Sequence, residues 1–272
     1  CRRRNAICWR FYHRGVVLVM GKAVTISEAD LAFIESYDPS VFPPNAVTAD
    51  VILLTIRSGR LAVLLVERDN PPQQGHLDPE ESITQTALRE LSEKTGFTAE
   101  PTHLEQLQTY STPGRDARDK KVRVTSVAYL AFMPDPGTPR AGADTRSARF
   151  WAVDDLPEFN SLIVQGEGPI LAFDHAKMLN DGLERAAAKL EYTTLATAFV
   201  DDRFTISDLR HVYEAVWRCD INPANFSRKV KATPDFIDPT GSQRATGRAP
   251  AGLYVKGEAD IISPPFFRPA LA

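Results

Sequence analysis

The first part of the chain has the apolar pattern of a mixed α/β domain. Apolar runs rich in β-branched residues predict strands, which we place at 47–57, 61–68, 122–132 and 150–153. Ser58 and Gly59 lie between the first two runs and predict a tight hairpin turn. Apolar residues at helical spacing predict helices at 27–37 and 79–95. Together these segments predict an α/β fold.

The second part is mostly helical and ends in two short strands. Between 205 and 217 the apolar residues recur at i, i+3, i+4, i+7 and i+8, which predicts a strongly amphipathic helix. After a short turn, Asn222 is suited to capping a second helix and Pro223 to its first position. The strands on either side of Pro239-Thr240-Gly241 predict a hairpin. Two helices with a tight turn, followed by such a hairpin, are typical of a winged helix-turn-helix.

These patterns divide the chain into four segments. We expect residues 1–26, which carry several arginines, to be a disordered tail or a mis-assigned start, with Met20 as the true first residue. A length of 272 residues leaves room for two domains. We place an α/β domain at 27–168, a linker helix at 169–189 and a winged helix at 190–272.

Composition and charge narrow the function classes. No apolar run reaches the roughly 18 residues of a membrane helix, so we expect no membrane partner. Three cysteines without a C-x-x-C pair, and five scattered histidines, argue against disulfides and a zinc site. The cysteine pattern favours a reducing compartment, and we expect a cytoplasmic, nucleoid-associated protein.

The charge of the winged-helix segment differs from that of the whole chain. The net charge is −3, but residues 227–256 contain six basic and two acidic side chains. A local positive surface of this kind suits contacts with DNA phosphates. The residues we expect to contact DNA are Asn225, Ser227, Arg228, Lys229 and Lys231 on the second helix, and Arg244 and Arg248 on the wing. The alternative is an ordinary small helical domain with surface charges.

A second motif occurs within the α/β part. From Gly75, the chain has five residues, Glu81, seven residues, and then Arg89-Glu90-Leu91-x-Glu93-Lys94-x-Gly96. This spacing resembles the Nudix box, in which carboxylates on one helix face hold divalent cations against a pyrophosphate. Lys94 departs from the pattern, because the box has a glutamate there. The alternative is a solvated amphipathic helix.

The departure at Lys94 affects the expected chemistry. An ammonium group repels a divalent cation, so we expect Mg²⁺ binding by Glu90 and Glu93 to be weak or lost. We therefore assign no catalytic residue in the degenerate box formed by Glu81, Arg89, Glu90, Glu93 and Lys94. The sequence of the strand that usually precedes the box is not found here, and the pattern leaves open whether the protein lacks that strand.

The two motifs together resemble one family, the Nudix-related transcriptional regulators of NAD metabolism (NrtR). The resemblance includes Leu171-Ala172-Phe173-Asp174-His175 and Asn225-Phe226-Ser227-Arg228-Lys229. It implies a Nudix α/β/α sandwich with a C-terminal winged helix-turn-helix domain. It also implies a homodimeric repressor that binds the operators of NAD biosynthesis or salvage genes and senses ADP-ribose or a related nucleotide. DNA binding itself would require no cofactor.

The resemblance also places the ligand. In the family, ADP-ribose lies between Nudix subunits, near the loop before the middle strand. The cations of that loop and its flank are therefore expected ligand contacts, namely Arg115, Arg118, Lys120 and Arg123. A solvated loop is the alternative. Two other functions remain open, an active Mg²⁺-dependent ADP-ribose pyrophosphatase and a sugar-responsive activator.

Overall fold

The computed structural model describes residues 27–68, 76–116, 120–142, 145–157, 169–245 and 249–269. The chain divides into two units, residues 1–43 and 44–272, which are described separately. In the first unit, helix α1 (Glu28–Ser36) begins after Ser27, whose hydroxyl accepts a hydrogen bond from the Asp30 backbone. A short 3-10 helix follows at Pro39–Val41. The predicted helix at 27–37 is thus present.

A five-stranded sheet forms the centre of the second unit. Its strands are β1 (Asn45–Arg57), β2 (Arg60–Arg68), β3 (His103–Tyr110), β4 (Arg123–Phe132) and β5 (Thr145–Ala152). Their order is β3-β4-β1-β2-β5, with β1 parallel to β4 and the other pairs antiparallel. Ser58 and Gly59 both have positive φ, 49° and 74°, as the predicted hairpin turn requires.

Two helices cover the sheet and complete the α/β/α sandwich. Helix α2 (Ile83–Thr95) packs through Leu91 against Leu53 and Leu64 on one face. Helix α3 (His175–Tyr192) lies on the other face, where a Cβ added at Gly182 would be 3.1 Å from the Ile52 side chain. The segment 169–189, expected as a linker, therefore contains most of a helix that is packed on the sheet.

Helix α2 begins later than the sequence pattern predicts. The expected start at residue 79 is wrong, because Ser82 and Gln85 form a capping box and the helix begins at Ile83. Before this cap, His76 forms an isolated bridge with Thr48. Among the described residues, this bridge is all the pairing found between β2 and α2, and Gly75 lies outside them.

The winged helix follows directly after α3. A 3-10 helix at Leu195–Phe199 leads to α4 (Ile206–Trp217), α5 (Pro223–Ala232) and the hairpin of β6 (Ile237–Arg244) and β7 (Ala251–Lys256). Phe199 stacks on Phe132 of the sheet with ring centres 4.5 Å apart. Trp217 Nε1 donates to the Ala187 carbonyl of α3 at 3.0 Å. The winged helix and the sheet therefore share one continuous apolar core.

None of the helices in the described parts of the chain is long and apolar enough to cross a membrane.

Candidate functional site

A cavity of about 980 Å³ opens where strands β1 and β2 separate. The two strands pair only from Leu54 and Val63 to the hairpin, and they diverge below that point. The space is lined by side chains of these two strands and of β5. The Glu90 and Lys94 positions of α2 and the residues before α3 complete the lining. A volume of this size lies in the range of pockets that hold nucleotide-sized ligands.

Arg89 organises the carboxylates of the Nudix box. Its Nε donates to both carboxylate oxygens of Glu81 at 2.9 and 3.1 Å. Its Nη1 donates to Glu90 at 2.8 Å and to Glu93 at 3.1 Å. Its Nη2 donates to the His76 carbonyl at 3.3 Å, which ties the preceding loop to the helix. The hydrogen bond from Arg89 lowers the pKa of Glu81, and the same bond raises the pKa of Arg89.

Lys94 is buried beside Glu90. The Lys94 Nζ lies 2.5 Å from Glu90 Oε2, and the two side chains are only 10% and 7% exposed. The Gly142 backbone closes over this end of the helix by donating to the Lys94 carbonyl at 3.2 Å. A Cβ at Gly142 would lie 1.8 Å from the Glu93 carbonyl, so no larger residue fits there without a shift. Lys94 is also one of the residues that line the cavity.

The box residues do not fit a divalent cation. Both carboxylate oxygens of Glu90 have cationic partners, Arg89 on one and Lys94 on the other. Glu93 also accepts from Arg89 and is 57% exposed. Among the residues that the structure describes, no three His, Cys, Asp or Glu side chains are grouped as a metal site. The expected weak or lost Mg²⁺ binding at Glu90 and Glu93 stays a prediction, now with a structural reason.

Arg149 and Trp151 form a feature of the cavity that was not identified from the sequence. The Arg149 guanidinium carbon lies 3.6 Å from the centre of the Trp151 ring, and both residues line the cavity. Residues two apart on a strand share a face, so a strand that includes both residues would place Arg149 and Trp151 side by side. The sequence pattern predicted a strand only at 150–153, whereas β5 begins at Thr145 and includes both residues. A stacked guanidinium and indole offer a flat, cationic surface to a planar ligand.

The cationic loop expected to bind the ligand lies elsewhere. Arg115 is 3% exposed and donates to Asp174 through Nε at 2.9 Å and Nη2 at 2.7 Å. Arg123 donates to the Ser111 carbonyl, and Lys120 is exposed. Arg118 lies outside the described residues. None of the three described cations lines the cavity, and their role in ligand binding stays a prediction.

The second helix of the winged helix has the expected orientation. Asn222 caps α5 by accepting from the Asn225 backbone at 3.0 Å, and Pro223 occupies the first turn. Phe226 and Val230 are buried. The opposite face of α5 is exposed at Asn225, Arg228, Lys229 and Lys231, and Ser227 is half-buried. This face presents hydrogen-bond donors and positive charge to solvent.

Several of the expected DNA contacts have partners within the protein. Arg228 donates to Asn225 Oδ1 at 2.7 Å, so these two side chains act as one polar group. The Lys229 Nζ lies 4.3 Å from the centre of the Phe266 ring, and desolvation lowers its pKa. Arg244 forms an ion pair with Asp208 at the start of α4, which fixes the wing against that helix. Arg248 lies outside the described residues, and the DNA roles of this set stay predictions.

Phe266 in the C-terminal segment was also not identified from the sequence. It is 2% exposed and packs against Tyr213 of α4 and Phe226 of α5. Its backbone N–H donates to the Glu191 carbonyl of α3 at 2.6 Å. The segment therefore connects the helix on the sheet to the exposed basic helix.

Comparison with family models gives two matches. Residues 44–172 match the NUDIX domain, and residues 196–255 match the NrtR DNA-binding winged helix domain. The matched ranges include the five-stranded sheet, most of the residues that line the cavity, and the helices α4 and α5. The two motifs found in the sequence therefore correspond to two known domains.

Comparison with known proteins gives matches over most of the chain. A curated relative from Acinetobacter baylyi, "ADPR responsive transcriptional repressor NtrR", is 24% identical over 235 residues, which cover 83% of this chain and 88% of the relative. The structure of Shewanella oneidensis NrtR is 32% identical with a TM-score of 0.62, covering 82% of this chain and 98% of that chain. The same protein in complex with a 27mer DNA is 30% identical with a TM-score of 0.63, covering 77% and 93%.

Proposed function

We propose that this chain, which belongs to the NrtR family, is an ADP-ribose-responsive transcriptional repressor that binds operator DNA. In this proposal α5 and the β6–β7 wing contact the DNA, and the Nudix domain binds the nucleotide. A homodimer places two copies of α5 on a pseudo-palindromic site. The regulated genes would be those of NAD biosynthesis or salvage, and the protein would be cytoplasmic and associated with the nucleoid.

The observation that carries this proposal is the presence of both parts in one apolar core. The cavity lies in the sheet, and the exposed basic face lies on α5. The core residues run without interruption from β1 through α3 to α4 and α5. A ligand that changes the packing of the sheet can therefore change the position of α5. Two similar proteins support the same assignment, because one is named an ADPR responsive transcriptional repressor and the other was solved in complex with DNA.

A footprinting experiment on the chain's own upstream region tests DNA recognition. We expect protection of two half-sites separated by a multiple of about 10–10.5 bp. Arg228→Ala combined with Lys229→Ala should weaken binding and reduce the slope of log K against log salt by about one for each phosphate that the variant no longer neutralises. The matched control is Arg146→Ala with Lys177→Ala, two exposed cations outside the winged helix.

The control variant should bind like the wild type. If the double variant in α5 gives an unchanged footprint and salt slope, α5 is not the DNA-contacting helix. If neither half-site is protected by the wild type, the proposed repressor function is wrong.

A further inference from the structure

The residue at position 94 changes the charge of the Nudix helix by the charge of one divalent cation. The Nudix box has a carboxylate at this position, and this chain has Lys94. The exchange turns −1 into +1, the same change that a bound Mg²⁺ ion would make. The ammonium is also located where the box places its metal-binding side chain, on the Glu90 face of α2.

The surroundings of Lys94 fix the position of its side chain. Its side chain is 10% exposed and its Nζ is in contact with Glu90 Oε2. Glu90 is 7% exposed and is shared with Arg89, so this one buried carboxylate has two cationic partners. Glu93 is 57% exposed, and solvent screens its charge.

The ammonium group also has donors to offer. An ammonium has three N–H donors, and the contact with Glu90 uses one of them. Lys94 belongs to the wall of the cavity, so the remaining donors can reach an anionic group held there. Its burial makes a charge-assisted hydrogen bond to a diphosphate oxygen stronger than the same bond on the surface.

We infer that the Lys94 ammonium takes the place of the divalent cation in nucleotide binding, so that the Nudix domain binds the diphosphate of ADP-ribose without metal. This inference rests on the proposed ADP-ribose response. A metal-dependent Nudix site holds its ligand through the cation, and here a side chain of the protein takes that role. Ligand binding would then be independent of the free Mg²⁺ concentration.

Titration calorimetry with ADP-ribose tests this in two buffers, one with EDTA and one with Mg²⁺. We expect the wild-type protein to have the same Kd in both. Lys94→Met should raise the Kd about ten-fold to a hundred-fold in both buffers, because a hydrogen bond to a charged group is removed. The Lys94→Glu variant should bind ADP-ribose only in the Mg²⁺ buffer, because it restores the carboxylate at this position. Lys177→Met and Lys177→Glu, which make the same changes on the exposed side of α3, are the matched controls and should bind like the wild type.

The outcomes separate this inference from the function on which it rests. Wild-type binding that disappears in EDTA would overturn the inference and leave the ADP-ribose response standing, as would wild-type affinity of a folded Lys94→Met variant. An absence of ADP-ribose binding by the wild type in both buffers would refute the response itself and the inference with it. Circular dichroism checks that the Lys94 variants fold, and if they do not, the wild-type comparison of the two buffers still tests whether binding is independent of metal.

Discussion

Replacement of Phe266 by alanine should destabilise the winged helix and weaken DNA binding together. The Phe266 ring is 2% exposed and contacts Tyr213, Phe226 and Phe236, with ring centres 5.6 to 6.2 Å apart. The Lys229 ammonium lies above the same ring. Phe267, the next residue, is 75% exposed and is the matched control.

The expected magnitudes follow from burial. A phenylalanine side chain covers on the order of 200 Å² of apolar surface, and burial contributes roughly 25 cal/mol per Å². Full burial of Phe266 is therefore worth about 5 kcal/mol, in agreement with the roughly 3–5 kcal/mol observed for buried Phe→Ala changes. Phe267 has about a quarter of its surface buried, so Phe267→Ala should cost about 1 kcal/mol.

Urea denaturation and DNA-binding titration of the two variants provide the assay. We expect the free energy of unfolding to fall at least about 2 kcal/mol further for Phe266→Ala than for Phe267→Ala. The affinity for operator DNA should fall only for Phe266→Ala, because its ring supports Phe226 and Lys229 on α5. Equal losses of stability in the two variants would refute the view that Phe266 holds the C-terminal segment against α5.

Three further predictions concern other parts of the molecule. The Tyr213 hydroxyl is buried without a hydrogen-bond partner among the described residues, so Tyr213→Phe should raise the free energy of unfolding by about 1 kcal/mol in urea denaturation; a loss of stability would show that the hydroxyl has a partner. Gly142→Ala should lower the melting temperature, because its Cβ would lie 1.8 Å from the Glu93 carbonyl; an unchanged melting temperature would mean that the loop shifts freely. The wild-type protein should not convert ADP-ribose to AMP with Mg²⁺, because Lys94 contacts the Glu90 carboxylate, and robust conversion would favour the hydrolase alternative.

The sequence predicted the elements whose apolar pattern is strong. The α4 helix follows from helical spacing alone, and the hairpin between β1 and β2 follows from Ser58-Gly59. Strand β3 was not predicted, because its central residues Glu105-Gln106 are polar and it lies at the edge of the sheet. An edge strand with one solvated side has no apolar run from which it can be identified.

The candidate site was predicted only where the motif spacing determines it. The Nudix spacing identified Lys94 as a departure, but the Gly142 backbone that packs on this end of α2 comes from a distant loop. The cavity wall at Arg149 and Trp151 depends on the divergence of β1 and β2, a property of sheet pairing. The cationic loop shows the same limit, because Arg115 has the charge expected of a ligand contact but is paired with Asp174. Long-range partners of this kind are not encoded in local patterns.

The coupling between ligand and DNA is the central claim, and a single titration tests it most directly. Full-length wild-type protein is bound to fluorescently labelled DNA from its own upstream region, and ADP-ribose is added in a buffer containing EDTA. We expect release of the DNA, with a coupling of about 1–3 kcal/mol, or roughly 5-fold to 150-fold in affinity. Anisotropy that stays at the bound value at saturating ADP-ribose, with ADP-ribose binding confirmed by calorimetry, would contradict it.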